Sequence, residues 1–221
     1  MFKPLVKVCC IESSLEANIA LNAGADMLGL VSEMPSGPGV ISLEKIAIIV
    51  DDLPPDTHTV LLTSKVTSEE IVAQHRIAKT WALQLVDRIS KPELQKLRKA
   101  LPETHLIQVI HVLNIDSIQE ALDHQKLVDI ILLDSGSPMA ATRTLGGTGN
   151  VHDWELSKQI CLQSRLPVFL AGGLNPENIS IALTTVKPDG VDLCSGVRSN
   201  TNLDREKLSA FMVQLSLANM K

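Results

Sequence analysis

Short apolar runs alternate eight times with longer amphipathic runs along this 221-residue chain, and this alternation restricts the possible folds more than any other feature. The apolar runs have strand length, and the amphipathic runs have helical period and capping residues. The predicted strands are Leu5–Cys9, Asp26–Val31, Thr57–Thr63, Trp81–Val86, Leu106–Val112, Val128–Leu133, Val168–Ala171 and Gly190–Cys194. The predicted helices are Ser14–Asn22, Leu43–Asp51, Ser68–Ala78, Pro92–Ala100, Ile115–His124, 154–161, Pro176–Thr185 and Asp204–Leu217. We expect Asp153 to cap the sixth helix and Asn175 the seventh.

Eight strand–helix units in a chain of this length are typical of a closed (β/α)8 TIM barrel. No linker or change of composition divides the units, so the sequence predicts a single domain over residues 1–221. The main alternative is a doubly wound open sheet, which usually has fewer strands and often carries a glycine fingerprint in its first βα turn. The first turn here, Cys10-Ile11-Glu12-Ser13, contains no glycine.

Charge and aromatic content exclude some classes of partner. The net charge is −5, and the chain has three phenylalanines, two tryptophans and no tyrosine. A basic footprint and base-stacking platforms are therefore missing, and we expect no nucleic-acid partner. No apolar run is long enough to span a bilayer, and the N-terminus carries lysines where a signal peptide is apolar. The four cysteines lack disulfide or zinc spacing, so we expect a cytoplasmic protein with reduced thiols.

In such a barrel the active site lies at the C-terminal ends of the strands. Asp134 ends the sixth apolar run, where a partly buried carboxyl can serve as a general acid or base. The alternative for Asp134 is a structural acid that caps its own loop. Cys9 and Cys10 end the first run, and strand alternation predicts that only one of them faces the barrel mouth. From spacing alone, either thiol could be a base or a buried small residue.

Paired small residues follow the last two strands. Gly172-Gly173 and Ser195-Gly196 stand where phosphate-binding barrels expose backbone N–H groups to an anion. Their alternative is two tight turns, but two such pairs in consecutive loops favour a phosphate site. A further run, Gly146-Gly147-Thr148-Gly149, follows the strand that ends in Asp134, and we interpret it as a lid over the ligand rather than a surface loop.

Two other polar residues occupy notable strand positions. Lys7 has the same parity as Cys9, and an inward lysine needs an anion, for which Asp192 on the neighbouring last strand is suitable. His111 lies at a strand end and is interpreted as a hydrogen-bonded structural histidine. No cluster of histidines and carboxylates has metal-ligand spacing, so no metal is predicted.

Several segments resemble the phosphoribosylanthranilate isomerase family. Lys7-Val8-Cys9-Cys10-Ile11 is similar to that family's Lys-x-Cys-Gly-Ile start, and Leu132-Leu133-Asp134 followed by Gly146–Gly149 is similar to its sixth unit. Residues 170–178 and 190–197 resemble its last two units. The resemblance runs from end to end, and it implies a TIM barrel that carries out an Amadori rearrangement in tryptophan biosynthesis without a cofactor.

The resemblance also implies roles for individual residues. Cys9 would be the general base and Asp134 the general acid. The substrate would be a small phosphorylated sugar whose phosphate is held by glycine loops; these comprise Gly147, Thr148, Gly149, Gly172, Gly173, Ser195 and Gly196. A monomer and a homodimer are both compatible with the sequence.

The chain departs from the family at the end that would hold the anthranilate. Gly39 stands where the family has an arginine for the anthranilate carboxylate, and Val86 replaces a histidine. We therefore expect Arg143, or Arg198 in place of a family glutamate, to supply the missing cation. The alternatives are a barrel enzyme for a different phosphorylated sugar and a binding protein that has lost catalysis.

Overall fold

The computed structural model describes residues 3–35, 37–135 and 153–218. The barrel strands are β1 Leu5–Val8, β2 Met27–Val31, β3 His58–Thr63, β4 Ala82–Leu85, β5 His105–His111, β6 Ile130–Asp134, β7 Val168–Leu170 and β8 Gly190–Leu193. The helices are α1 Ser14–Asn22, α2 Leu43–Asp51, α3 Ser68–Ala78, α4 Lys91–Ala100, α5 Asp116–His124, α6 Trp154–Gln163, α7 Ile179–Val186 and α8 Arg205–Ala218.

The eight strands form a closed parallel barrel in sequence order, so the TIM-barrel prediction is confirmed. β1 closes the barrel because it pairs with β2 on one side and with β8 on the other. Lys7 is in register with Met27 and with Asp192. In a parallel pair, residues in register face the same side of the sheet, and this places Lys7 and Asp192 side by side inside the barrel.

Side-chain caps explain why most helices begin where the sequence predicts. The hydroxyls of Ser13, Ser42 and Thr67 accept hydrogen bonds from backbone N–H groups in the first turns of α1, α2 and α3. Each cap satisfies a donor that the helix leaves unpaired. The bounds of these three helices agree with the predicted ones.

The predicted start of α7 is wrong. The helix begins at Ile179 rather than Pro176. The side-chain oxygen of Asn175 accepts hydrogen bonds from the N–H groups of Glu177 and Asn178, both at 3.0 Å. Asn175 therefore closes a separate turn that precedes the helix.

The core has two layers, one inside the barrel and one between the sheet and the helices. Inside the barrel, Phe169 fills the space beside Gly190, where an added Cβ would lie 2.5 Å from the phenyl ring. Val60 and Ile107 are also fully buried in this inner layer. Because packed side chains fill the barrel interior, a substrate has to bind at one end of it.

A short hairpin connects β8 to α8 and was not predicted. It consists of a 3₁₀ helix over Ser195–Val197 and two paired antiparallel strands, β9 Arg198–Ser199 and β10 Asn202–Leu203. The hairpin carries Arg198 back toward β1. None of the helices in the described part of the chain is long and apolar enough to cross a membrane.

Candidate active site

A cavity opens at the C-terminal ends of the barrel strands, where the sequence places the candidate chemistry. Its lining includes Cys9 after β1, Gln84 on β4, Asp134 on β6 and Asp192 on β8. Gly172, Gly173 and Ser195 also line it. The structure thus brings together the thiol, the carboxyl and the loops after β7 and β8.

Cys9 is buried and belongs to the inner layer of the barrel. Its sulfur fits because residue 29 on β2 is glycine: a Cβ there would lie 2.8 Å from the Cys9 Sγ and 3.1 Å from the Lys7 Nζ. A hydrogen bond from the Cys10 thiol and the charge of Lys7 lower the pKa of Cys9 against the opposing effect of burial. The thiolate, which is the basic form, is therefore favoured.

Lys7 and Asp192 form a buried ion pair below Cys9. The Lys7 Nζ lies 2.8 Å from an Asp192 carboxylate oxygen, and the lysine side chain is inaccessible to solvent, as the strand positions predicted. Burial alone would lower the pKa of Lys7, but the charges of Asp192 and Cys9 outweigh it and raise the pKa above its ordinary value. The ammonium group stays charged and stabilises a negative sulfur nearby.

Asp134 ends β6 with its side chain buried. One carboxylate oxygen accepts a hydrogen bond from the N–H of Ser135 at 2.7 Å. Burial raises the pKa of Asp134, and the charge of His111 opposes that shift in part. A carboxyl group that holds its proton more firmly than usual is suited to donate that proton to a substrate.

His111 is next to Asp134 in the register of β5 and β6. Its Nε2 lies 3.0 Å from the carbonyl oxygen of Val86, to which it donates. The prediction of a hydrogen-bonded histidine is thus confirmed. The Nδ1 atom is buried and has no hydrogen-bond partner in the described ranges.

The turns after β7 and β8 pack closely against their neighbours. Gly172 and Gly173 have φ angles of +83° and +65°, which favour glycine. A Cβ at Gly172 would lie 2.8 Å from the Ser135 Oγ, beside the end of β6. A Cβ at Gly196 would lie 1.9 Å from the carbonyl oxygen of Leu174, so the close contact between the two turns requires glycine at position 196.

The prediction that only one of the two adjacent thiols faces the mouth of the barrel is wrong. Both Cys9 and Cys10 line the cavity. Cys10 has a φ angle of +64°, and this left-handed conformation ends the alternation of the strand. Its sulfur lies 2.8 Å from the sulfur of Cys194, and both thiols are free.

Arg198 is not placed to bind a substrate carboxylate. Its guanidinium group is buried and donates to the carboxylate of Glu16 at 3.1 and 3.2 Å. It also donates to the carbonyl oxygens of Cys9, at 3.3 Å, and of Cys10. Because its NH1 and NH2 groups donate to these acceptors, Arg198 stabilises the β1–α1 connection. It does not line the cavity. Arg143, the other candidate, lies outside the described residues, as do Gly147, Thr148 and Gly149.

Glu16 is the functional neighbour that sequence reasoning missed. Its carboxylate accepts hydrogen bonds from the N–H groups of Leu203 at 2.7 Å and Glu12 at 3.0 Å, in addition to Arg198. Burial tends to raise the pKa of Glu16, but Arg198 and these N–H groups outweigh it and lower the pKa. The spacing Ser13-x-x-Glu16 is that of a capping box, which predicts a local bond at the start of α1, but it gives no signal for the contacts with Arg198 and Leu203.

The closed parallel barrel and its cavity with a thiol, a carboxyl and glycine turns define an enzyme of the (β/α)8 class. The family model of N-(5'-phosphoribosyl)anthranilate isomerase matches residues 6–214. The isomerase of Methanocella arvoryzae is 33% identical over 194 residues, with 88% of this chain and 89% of that protein covered.

Solved structures agree with this match. The phosphoribosylanthranilate isomerase of Thermotoga maritima has a TM-score of 0.82 and 28% identity, over 96% of this chain and 98% of that one. An isomerase in complex with reduced 1-(o-carboxyphenylamino)-1-deoxyribulose 5-phosphate has a TM-score of 0.79 and 26% identity, over 96% and 98% of the chains. The chain belongs to the N-(5'-phosphoribosyl)anthranilate isomerase family, and it is an isomerase of tryptophan biosynthesis.

Proposed function

We propose that Cys9 is the general base and Asp134 the general acid in the isomerisation of N-(5'-phosphoribosyl)anthranilate. The main support is that both side chains line the same cavity at the C-terminal ends of the strands. The pKa of Cys9 is lowered and that of Asp134 is raised, which are the directions that a base and an acid need.

The reaction requires one proton donor and one proton acceptor. Asp134 protonates the ring oxygen of the ribose, the bond from that oxygen to C1 breaks, and the anthranilate nitrogen forms a Schiff base with C1. Cys9 removes the proton from C2, the electron pair of the C2–H bond forms the C1–C2 double bond of an enol, and the C1–N π pair returns to the anthranilate nitrogen. The enol oxygen then loses its proton while C1 gains one, which leaves a ketone at C2. These two proton transfers return Cys9 and Asp134 to their starting forms. Atoms and electrons balance within the substrate, so no oxidant is needed.

The phosphate of the substrate binds at the turns after β7 and β8 in this proposal. Gly172, Gly173 and Ser195 line the cavity, and glycine backbone can approach an anion closely. The related isomerase bound to a ribulose 5-phosphate derivative supports a phosphorylated ligand. Two buried acceptors, Gln84 Oε1 and Asp192 Oδ1, lack hydrogen-bond partners within the described residues, and we assign them to substrate hydroxyl groups.

One observation favours a second candidate, a substrate with a less anionic aglycone. A Cβ at Gly39 would lie 2.5 Å from the Cys10 Cβ, so Cys10 occupies space that any side chain at position 39 would need. The family resemblance expects an arginine there. Without it, a carboxylate loses a charge-assisted contact of about 1.5–3 kcal/mol.

A fluorescence assay of phosphoribosylanthranilate consumption tests these roles. We expect Cys9→Ala and Asp134→Asn each to lower kcat/KM by about 10²- to 10⁴-fold, the usual contribution of acid or base catalysis. Cys161→Ala is the matched control, because Cys161 lies on α6 in the outer layer. Wild-type turnover in Cys9→Ala would contradict the assignment of the base. Turnover only with an aglycone that lacks the carboxylate would establish the second candidate.

The cytoplasmic location, the absence of a nucleic-acid partner and the choice between monomer and homodimer stay predictions from the sequence. Light scattering of the purified protein would decide the oligomeric state. A nucleic-acid binding assay at low salt would test the predicted absence of a nucleic-acid partner, because electrostatic binding is strongest at low salt.

A further inference from the structure

Two thiols meet at the seam where the barrel closes. Cys10 follows β1 and Cys194 follows β8, and their sulfurs lie 2.8 Å apart as free thiols. A disulfide bond is about 2.05 Å long. The two sulfurs would therefore need to approach by less than about 1 Å for a bond to form.

We propose that Cys10 and Cys194 form an oxidation site, at which a peroxide converts the two thiols into a reversible disulfide across the β1–β8 seam. The Cys194 sulfur attacks one peroxide oxygen, the O–O bond breaks, and a sulfenic acid and one water result. The Cys10 sulfur then displaces the hydroxyl group, which leaves with the Cys10 proton as a second water. Two S–H bonds are lost, one S–S bond forms, and the peroxide is reduced.

Access and position favour this pair over the other thiols. Cys194 lines the cavity and is partly exposed, whereas Cys9 and Cys10 are buried. A peroxide therefore reaches Cys194 first, and Cys10 is the thiol in contact with it. Cys161 lies on α6 in the outer layer and does not line the cavity.

The disulfide would control the isomerase, and this part of the inference rests on the proposed role of Cys9. Cys10 is adjacent to Cys9 in the chain, and both side chains line the same cavity. The Cys10 thiol is the largest influence that lowers the pKa of Cys9, because it can donate a hydrogen bond to the thiolate. A Cys10 in a disulfide has no S–H group to donate. The Cys9 thiolate would then lose that support, and the base would be protonated at a higher pH.

Peptide mapping by mass spectrometry tests the bond itself. The full-length protein is treated with hydrogen peroxide, alkylated and digested. We expect a linked pair of peptides that contain Cys10 and Cys194, lighter by two hydrogens and separated by dithiothreitol. Cys194→Ser should abolish the link, and Cys161→Ser should keep it. A Cys9–Cys10 link, a link between chains, or oxidation of Cys9 without any link would overturn the proposal.

Turnover of phosphoribosylanthranilate provides the second readout. We expect the oxidised wild type to lose kcat/KM by about tenfold or more, as a rise of one unit in the pKa of its base would bring, and dithiothreitol to restore it. In Cys194→Ser, no loss that dithiothreitol reverses is expected. A disulfide that leaves kcat/KM unchanged would refute the control of activity. If the reduced protein had no turnover at all, the proposed function would fail, while the peptide map would still decide the oxidation site.

Discussion

Replacing Gly39 by alanine tests whether Cys10 occupies the space of the missing arginine. The new Cβ would lie 2.5 Å from the Cys10 Cβ and 2.9 Å from its Cα. Overpacking of this kind costs about 1–3 kcal/mol. The φ angle of Gly39 is +76°, and a left-handed residue with a Cβ adds about 1–2 kcal/mol. We therefore expect Gly39→Ala to lower the free energy of unfolding by about 2–5 kcal/mol.

Cys10→Gly separates the two contributions. It removes the Cβ that the new side chain would meet, and glycine tolerates the φ angle of +64° at position 10. In the double variant, the strain at position 39 remains and most of the overpacking disappears. We expect a coupling free energy of about 1–2 kcal/mol between the two substitutions, within the range for residues in contact.

Urea unfolding of the wild type, both single variants and the double variant measures this coupling. Gly37→Ala is a matched control: its φ angle is +111°, and an added Cβ would meet no described atom within 4 Å. Gly37→Ala should lower the free energy of unfolding because of its left-handed conformation, and this effect should add to that of Cys10→Gly without coupling. If Gly39→Ala and Cys10→Gly were additive to within about 0.5 kcal/mol, the steric argument would be wrong.

Four further outcomes are expected. Arg198→Met should lower the free energy of unfolding by about 3–5 kcal/mol in urea, because it leaves the Glu16 carboxylate buried without its cation. Since the folded-state pKa of Glu16 is below its ordinary value of 4.5, its stabilisation is present above that value and is lost as the pH falls through the folded pKa. In acid unfolding, the Glu16→Gln variant should therefore not show the loss of stability that protonation of Glu16 causes in the wild type. Gly29→Ala should lower kcat/KM more than it alters KM, since its Cβ would lie 2.8 Å from the Cys9 Sγ. Cys10→Gly combined with Gly39→Arg should lower KM for phosphoribosylanthranilate by about 10- to 100-fold, as a restored charged hydrogen bond predicts, and an unchanged KM would show that the carboxylate binds elsewhere.

Local signals explain why the fold could be predicted from the sequence. The bounds of α1, α2 and α3 agree with the predictions, because a serine or threonine cap and an apolar period lie within each segment. The Lys7–Asp192 ion pair followed from strand parity and closure of the barrel. Asp134 could be located as a candidate acid for the same reason, since it stands at a strand end. Strand position left both Cys9 and Cys10 as candidate bases, and only the family resemblance favoured Cys9.

Long-range contacts explain what sequence reasoning missed. The left-handed φ angle of Cys10 has no local signal in Cys9-Cys10-Ile11, and it brings a second thiol into the cavity. The guanidinium group of Arg198 donates to Glu16 and to the carbonyl oxygen of Cys10, which are more than 180 residues away in the chain. Such contacts depend on how the first and last units meet, and a pattern within either unit does not contain them.

Gly39, Arg198 and Cys194 all lie against Cys10. A Cβ at Gly39 would collide with Cys10, Arg198 donates to the carbonyl oxygen of Cys10, and the Cys10 sulfur contacts that of Cys194. A change at position 39 therefore alters the space around Cys10, and a change at position 198 alters the support of its backbone. Because Cys10 lies against all of these residues, substitutions at positions 39 and 198 are expected to couple through it. The Lys7–Asp192 ion pair is formed between β1 and β8 inside the barrel, so the charge that stabilises the Cys9 sulfur does not require a particular residue at position 39.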